Sequence, residues 1–255
     1  MKGNRSWRAV RRAPLQSGHY RALAGMVLSY PHFWQCLYRF LTGGGRYPYR
    51  CRIRTPLGEV APLLRTSHDL STVNEIFCRR DYEASSTLRV AVDVGANIGI
   101  ASLYFLTRND SARVYAFEPN PANIPQLREN LRGYEDRLSL EQVALHVRDG
   151  AAAFSVEPTG RYGRIADSAG SSTIAVTCRE INDALREVIA REGEIDMLKI
   201  DTEGTELELV ETLAGDVLDA TATICYETTS PQPCHLDRYR HTYSTQTNRL
   251  QRLRS

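Results

Sequence analysis

Short apolar runs alternate with segments of helical period over most of this 255-residue chain. Apolar runs rich in β-branched residues predict five strands, at Arg89 to Val94, Ala112 to Phe117, Leu138 to Val143, Ile195 to Ile200 and Thr221 to Glu227. Apolar residues three or four apart predict helices between them. This alternation predicts an α/β fold with a doubly wound, mostly parallel, Rossmann-like sheet.

Shorter elements are predicted upstream of the first core strand. The run from Arg50 to Thr55 predicts a strand that turns at residues 56–58. Thr72 and Glu75 have the spacing of a capping box, which predicts the start of a helix that continues to about Arg80.

Two later segments depart from the simple alternation. Residues 147–156 predict an added hairpin, and residues 159–173, rich in Gly, Ser and Thr, predict a mobile loop. Thr177 and Glu180 predict a second capping box. Residues 228–255 are polar and hold no two apolar runs, so we expect a shortened C-terminal edge of the sheet.

A glycine turn follows the first core strand. The turn reads Gly95-Ala96-Asn97-Ile98-Gly99, and helical spacing resumes at Ile98. Glycines let a ligand approach the backbone, and amides that open a helix can face it. Glu118 ends the second strand, 25 residues after Asp93, at the distance expected for a carboxylate that accepts ribose hydroxyls. The pattern predicts a nucleotide-cofactor site.

The spacing of the glycines bears on which nucleotide is bound. A dinucleotide fingerprint needs a third glycine to cradle a pyrophosphate, and this turn lacks that spacing. A small, nearly uncharged turn suits a ligand with a ribose and no phosphate, so we predict S-adenosyl-L-methionine. The alternative is a crossover whose glycines only ease packing, which would not require Glu118.

Three runs resemble the FkbM-type S-adenosylmethionine-dependent methyltransferases in order and spacing: VDVGANIG at 92–99, YAFEPNP at 115–121 and IDMLKIDTEGTE at 195–206. Two upstream runs, TPLGEV at 55–60 and DLSTVNEIFCRRDY at 69–82, resemble the lead-in of that family. The resemblance implies a class I methyltransferase fold, methyl transfer to a hydroxyl, and acceptors among glycans, polyketides and other secondary metabolites. We predict these cofactor contacts: Asp93, Gly95, Ala96, Asn97, Gly99, Glu118, Pro119, Asn120 and Ala144.

The catalytic residues are expected where the core strands end. Ligands of such sheets bind beyond the carboxyl ends of the strands, where Asp93, Glu118, Asp201 and Glu227 all fall. Asp201 is the first candidate for the base that removes a hydroxyl proton, and accepting a hydrogen bond without taking the proton is its alternative role. Glu203 and Glu227 are further candidates near the acceptor.

Lys199 is one of only two lysines in a chain with 30 arginines. A single interior lysine suggests that a compact ammonium with a tunable pKa is required, which a planar guanidinium would not replace. Period-two alternation places Lys199 on the same strand face as Asp201. The alternative is a buried ion pair with Asp201, Glu203 or Glu227 that only balances charge.

The basic residues are concentrated at the N-terminus. Residues 1–58 hold 11 Lys or Arg and no acidic residue, whereas residues 59–255 hold 21 basic and 30 acidic residues. We predict a basic, helical N-terminal arm over residues 1–50 that ends at the glycines after Thr42, and a methyltransferase domain over residues 51–255. The arm could fold back on the acidic body, lie on an anionic membrane surface or bind another acidic partner.

The remaining composition narrows the function further. The six cysteines and six histidines show no metal-ligand spacing, so we predict no metal, and no signal peptide or spanning segment is recognised. We expect a cytoplasmic protein, with peripheral contact at the inner membrane surface as a variant, and no nucleic-acid partner. The leading hypothesis is an O-methyltransferase acting on a small-molecule or glycan hydroxyl. A cofactor-binding protein without catalysis, because of its short sheet edge, is the alternative, and a Rossmann oxidoreductase is third.

Overall fold

The computed structural model of the protein describes residues 17–156, 163–165 and 173–253. The start of the predicted basic arm and most of the predicted loop at 159–173 lie outside these ranges. The chain forms two compact units. We call residues 1–54 with 59–81 the N-terminal unit, and residues 55–58 with 82–255 the sheet unit.

Helices and very short strands make up the N-terminal unit. Its helices are α1 (Ser17–Ser29), α2 (Phe33–Thr42) and α3 (Ser67–Val73), which continues as a π-helix over Asn74–Arg79. The strands before α3 are β1 (Tyr49–Arg50), β2 (Ile53–Thr55), β3 (Gly58–Val60) and β4 (Leu63–Leu64). Helix α1 crosses the π-helix so closely that a Cβ on Gly25 would lie 2.0 Å from the carbonyl oxygen of Cys78.

The capping box predicted at Thr72 and Glu75 is wrong. Helix α3 begins five residues earlier, where the Thr66 hydroxyl accepts from the Asp69 amide at 3.3 Å and the Asp69 carboxylate accepts from the Thr66 amide at 3.4 Å. Thr72 lies inside α3, and Glu75 lies in the π-helix that continues it. The correct box uses Asp where the sequence pattern favours Glu or Gln.

Seven strands form the central sheet of the sheet unit, in the order β14-β15-β13-β12-β5-β6-β7. Their bounds are β5 (Val90–Val94), β6 (Arg113–Phe117), β7 (Leu138–Glu141), β12 (Met197–Ile200), β13 (Thr223–Glu227), β14 (Tyr239–Ser244) and β15 (Thr247–Arg252). The first five pair in parallel, which confirms the predicted doubly wound α/β sheet. Helices α4 (Ile100–Leu106), α5 (Ile124–Asn130), α6 (Ile181–Glu192), α7 (Glu206–Glu211) and α8 (Gly215–Asp219) lie between them.

The expectation of a shortened C-terminal edge is also wrong. Strand β15 pairs antiparallel with both β13 and β14, so the sheet ends in two antiparallel strands. Tyr239, Thr247, Asn248 and Leu250 are buried on these strands, while their other positions are half-buried or exposed. An antiparallel edge with one solvated face needs few apolar residues, and its polar sequence therefore hid the strands.

A second sheet forms between β7 and α6. Its order is β10-β9-β11-β8, with β8 (Ala144–His146), β9 (Gly150–Val156), β10 (Gly163–Ile165) and β11 (Thr173–Glu180). The capping box predicted at Thr177 and Glu180 is replaced by strand β11, and Glu180 is the N-cap of α6, accepting from the Asp183 amide at 2.7 Å. The segment predicted as a hairpin, residues 147–156, thus contributes to a four-stranded sheet.

Apolar residues of the central sheet pack against the helices of the sheet unit in one large core that includes Val92, Leu198, Leu185 and Leu209. Within the described residues, no helix is long and apolar enough to cross a membrane.

Candidate functional site

A cleft opens at the carboxyl ends of β5, β6 and β12, the edge at which the sequence predicts the ligand. Its walls are formed by Val94, Gly95, Asn97, Phe117, Glu118, Pro119, Asn120, Asn123, Val143, Ala144, Leu145, Phe154, Asp201, Thr202, Glu203 and Thr205. Six of the predicted cofactor contacts are therefore in the cleft, whereas Asp93, Ala96 and Gly99 are not among its lining residues.

The glycine turn is fastened to the strands beside it. The amides of Gly95 and Ala96 donate to the Phe117 carbonyl at 2.9 and 3.0 Å, which ties the turn to the end of β6. A Cβ on Gly95 would lie 1.9 Å from the carbonyl oxygen of Asp201. The end of β12 thus leaves no room for a side chain at position 95, a packing reason for glycine that the sequence did not show.

Glu118 lines the cleft beside the glycine turn. Its carboxylate accepts from the Asn97 amide at 2.7 Å, the Asn120 amide at 2.9 Å and the Asn123 side chain at 3.1 Å. The residue is 4% exposed, and burial raises the pKa of Glu118 although these hydrogen bonds oppose the rise. The bonds fix the carboxylate beside the turn, as a ribose-binding group requires.

Apolar side chains form the opposite wall. Val143 comes from the connection after β7, Ala144 and Leu145 come from β8, and Phe154 comes from β9. Ala144 was predicted as a contact, but Phe154 was not. The sequence predicts a hairpin there and gives no sign that its phenylalanine returns to the cleft.

Asp93 and Lys199 form a buried ion pair beneath the turn. Lys199 Nζ lies 2.8 Å from Asp93 Oδ1 and donates to the Gly95 carbonyl at 2.9 Å, while the Ser102 hydroxyl donates to Asp93 Oδ2 at 2.7 Å. Burial alone would lower the pKa of Lys199, but the charges of Asp93 and Asp201 outweigh it and raise that pKa above its ordinary value. Lys199 is therefore a permanent cation, not the tunable amine that the sequence suggested.

Asp201 and Glu203 reach the cleft from the segment after β12. Asp201 Oδ2 lies 3.7 Å from Lys199 Nζ and 3.5 Å from the Tyr82 hydroxyl. The same hydroxyl donates to Glu227 Oε1 at 2.6 Å, at the end of β13. Tyr82 thus joins two of the predicted catalytic carboxylates. It ends the upstream run that resembles the family, but the sequence did not identify it as a site residue.

Glu206 has a structural role. Its carboxylate accepts from the amides of Thr202 and Gly204, at 2.8 and 2.9 Å, and so stabilises the start of α7. The negative charge of Glu206 is also favoured at a helix N-terminus by the helix dipole.

The profile of the methyltransferase FkbM domain matches residues 93–239, which is more than half of the chain. This chain belongs to the FkbM methyltransferase family. The match begins at Asp93 and covers Glu118, Asp201 and Glu227, while Tyr82 lies before it.

Individual relatives are distant. Methyltransferase sdnD of Sordaria araneosa is 28% identical over 173 residues, covering 55% of this chain and 66% of its own length. The 2-O-methyltransferase NoeI of Sinorhizobium fredii (strain NBRC 101917 / NGR234) is 28% identical over 138 residues, covering 48% of this chain and 56% of its own. The crystal structure of methyltransferase FkbM from Methylobacillus flagellatus KT is 18% identical with a TM-score of 0.39, covering 63% of this chain and 43% of that one. The chain spans less than two thirds of each of these relatives.

The cleft of this FkbM family member is acidic. Three carboxylates line it, those of Glu118, Asp201 and Glu203, and no Lys, Arg or His is present among its described lining residues. Within the described ranges, no group of three or more His, Cys, Asp or Glu residues is arranged to hold a metal ion. The site is thus suited to a ligand that carries positive charge.

Proposed function

We propose that the chain is an S-adenosyl-L-methionine-dependent O-methyltransferase that acts on a hydroxyl of a sugar, glycolipid, polyketide or related metabolite. The observation that carries the proposal is the acidic cleft, in which Glu118 stands beside the glycine turn with no basic side chain among the described walls. S-Adenosylmethionine has a ribose, a sulfonium and an ammonium, whereas a dinucleotide brings a pyrophosphate that such a cleft would repel.

The backbone of the turn supports the same choice. A pyrophosphate site needs free amides at the helix opening, but the amides of Gly95 and Ala96 donate to Phe117, that of Asn97 donates to Glu118, and that of Gly99 donates to the Ala96 carbonyl. These four donors are used within the protein. The turn therefore serves to hold Glu118, and through it the ribose hydroxyls, rather than a phosphate.

The remaining walls fit the other parts of this cofactor. Val143, Ala144, Leu145 and Phe154 offer an apolar surface for a purine ring. Asp201 and Glu203 lie across the cleft, where their negative charge favours the sulfonium end. The cofactor supplies an electrophilic methyl group when it is bound.

Asp201 is the residue that we assign to the acceptor hydroxyl. It lies in the cleft and is partly exposed, whereas Lys199 and Glu227 are not among the lining residues. Its carboxylate accepts the hydroxyl proton, or a hydrogen bond from that hydroxyl, as oxygen attacks the methyl carbon. Lys199 and Tyr82 hold this carboxylate in position. The relative NoeI is named a 2-O-methyltransferase, which supports oxygen as the acceptor atom.

The alternative of a cofactor-binding protein without catalysis depended on a missing sheet edge. Strands β14 and β15 supply that edge, so nothing in the described sheet favours this alternative.

Isothermal titration with S-adenosylmethionine, its demethylated product and NAD tests the cofactor. We expect both sulfur nucleosides to bind more tightly than NAD. Glu118→Ala should weaken their binding at least about tenfold, since one hydrogen bond to a charged group contributes about 1.5–3 kcal/mol. Glu208→Gln is the matched control, because Glu208 is exposed on α7 and does not line the cleft. Tighter binding of NAD, or no effect of Glu118→Ala, would contradict the assignment.

Transfer of a labelled methyl group to a panel of sugars, glycolipids and polyketides tests the reaction. Asp201→Asn should lower turnover about 100-fold or more, the usual scale for a lost acid–base group, with cofactor affinity unchanged within a few-fold. If Asp201→Asn retains full turnover on an acceptor that the native chain methylates, Asp201 is not the residue that handles the hydroxyl.

A further inference from the structure

The N-terminal unit exposes large apolar side chains on two consecutive helices. On α2, Trp34, Tyr38 and Leu41 follow the spacing of one helical stripe and are 77%, 59% and 62% exposed. The buried residues of α2 are instead Cys36 and Arg39. A helix of a globular domain normally turns its apolar stripe inward, so the stripe of α2 faces the wrong way for packing.

Helix α1 adds aliphatic surface of the same kind. Leu23, Val27 and Leu28 are 45%, 51% and 65% exposed. Isolated exposed leucines are ordinary, but six large apolar residues on consecutive helices indicate a binding surface.

A row of arginines lies beside this apolar surface. Arg50, Arg52 and Arg54 are exposed and alternate with buried Cys51 and Ile53 along β1 and β2, as period-two geometry requires. The row is therefore presented on one side of the chain.

Contacts within the N-terminal unit join the row to the helices. Arg52 Nη1 lies 3.3 Å from Nε2 of His32, the residue that precedes α2. Arg54 Nη1 donates to the carbonyls of Leu28 and Tyr30 at 3.4 Å, where α1 ends. Arg52 and Arg54 thus lie at the junction where α1 ends and α2 begins.

We propose that this surface, the six apolar residues with the three arginines, binds the interface of a membrane that contains anionic lipids. Tryptophan and tyrosine favour the boundary between headgroups and acyl chains. Exposed arginines attract lipid phosphates. Arg52 also pairs with Glu59, but positions 1–58 hold 11 basic residues and no acidic one, which supplies the complementary charge. The surface rests on the membrane in the manner of an interfacial amphipathic helix.

The aliphatic residues favour a membrane over a nucleic acid. Aromatic and arginine side chains suit both partners, but Leu23, Val27, Leu28 and Leu41 would stay in water against a phosphate backbone. A bilayer removes them from water at about 25 cal/mol per Å².

Trp34 makes the proposal measurable in the full-length chain. The chain has two tryptophans, so Trp7→Phe leaves Trp34 as the single reporter. We expect a blue shift of its emission with phosphatidylcholine vesicles that contain phosphatidylglycerol, quenching by brominated acyl chains, and little response to pure phosphatidylcholine. Salt of about 1 M, where the Debye length is ~3 Å, should reverse most of the binding.

Two matched leucine variants distinguish binding by this surface from nonspecific adsorption to vesicles. Leu41→Ser should lower the vesicle partition coefficient several-fold, while Leu236→Ser, which alters a leucine of the sheet unit that is 56% exposed, should leave it unchanged. Arg50→Gln with Arg52→Gln should lower it by about fivefold per arginine on anionic vesicles. Unchanged Trp34 emission with anionic vesicles, equal effects of the two leucine variants, or binding of duplex DNA in place of vesicles would each overturn the proposal.

Discussion

Lys199→Met should destabilise the protein by about 3–5 kcal/mol, the usual cost of removing one partner of a buried ion pair. The side chains of Lys199 and Asp93 are 3% and 0% exposed, with 2.8 Å between Nζ and Oδ1. Without the ammonium, the Asp93 carboxylate keeps the Ser102 hydroxyl but loses its buried counter-charge. The Gly95 carbonyl, 2.9 Å from Nζ, loses a charged donor as well. This loss is a large fraction of the ~5–15 kcal/mol that folded proteins possess.

Urea titrations measure the free energy of unfolding. Two further variants show whether the loss arises from an unpaired buried charge. Asp93→Asn combined with Lys199→Met should recover part of the loss, because no uncompensated charge is then buried. Arg132→Met is the surface control: Arg132 is 74% exposed in its pair with Glu129, and such pairs contribute about 0–1 kcal/mol.

The pH dependence follows from the raised pKa of Lys199. A basic group whose pKa is higher in the folded chain than in the unfolded chain stabilises the fold. This stabilisation is complete below the pKa of lysine in the unfolded chain, about 10.4, and is lost only as the pH rises through the pKa in the folded chain. The difference between native chain and Lys199→Met should therefore be constant from about pH 6 to 9. A loss below about 1 kcal/mol, or a double variant no more stable than Lys199→Met, would refute the role of the buried pair.

Two further predictions concern the cleft. Tyr82→Phe should lower kcat about tenfold or more, the scale of one hydrogen bond to a charged group. Cofactor affinity should stay nearly unchanged, because the Tyr82 hydroxyl contacts Glu227 and Asp201 rather than the cofactor wall. Steady-state kinetics and titration calorimetry measure the two quantities, and an altered Kd with native kcat would contradict the prediction. Cofactor affinity should fall as the pH drops through the raised pKa of Glu118, which lies above the ordinary value of 4.5, because protonation removes an acceptor. Calorimetry across pH should show this loss in the native chain and not in Glu118→Gln.

How well the strands could be predicted depended on how they are buried. Strands β5, β6 and β12 are covered on both faces, so their sequences are continuous apolar runs with an unambiguous meaning. Strands β14 and β15 bury few apolar residues, such as Tyr239 and Leu250, and their many polar residues resemble a loop. Burial on one face, rather than a missing edge, accounts for that error.

The position of the glycine turn could be predicted from local sequence, but the reasons for its residues could not. Gly95 is required by the carbonyl of Asp201, which lies 106 positions later in the chain. The turn amides donate to the Phe117 carbonyl and the Glu118 carboxylate. Each of these contacts crosses between strands whose adjacency a single sequence does not reveal.

The partner of Lys199 shows the same dependence on strand order. Sequence alternation correctly places Lys199 on the face of Asp201, and the alternative of a buried ion pair was open, but Asp93 was not among the partners considered. In the sheet, β12 lies directly beside β5, and Lys199 is in register with Asp93. Residues in register on neighbouring strands point to the same face, so the closest carboxylate is the one on β5.

This buried pair connects the two sides of the proposed reaction. Lys199 binds Asp93 at the end of β5, the carbonyl of Gly95 in the turn, and the vicinity of Asp201 after β12. The same glycine turn holds Glu118 through the Asn97 amide. A displacement of Lys199 would therefore move the carboxylate assigned to the ribose together with the one assigned to the acceptor hydroxyl. A fixed cation suits this task better than a titrating one, because methyl transfer requires the methyl group and the attacking oxygen to stay aligned.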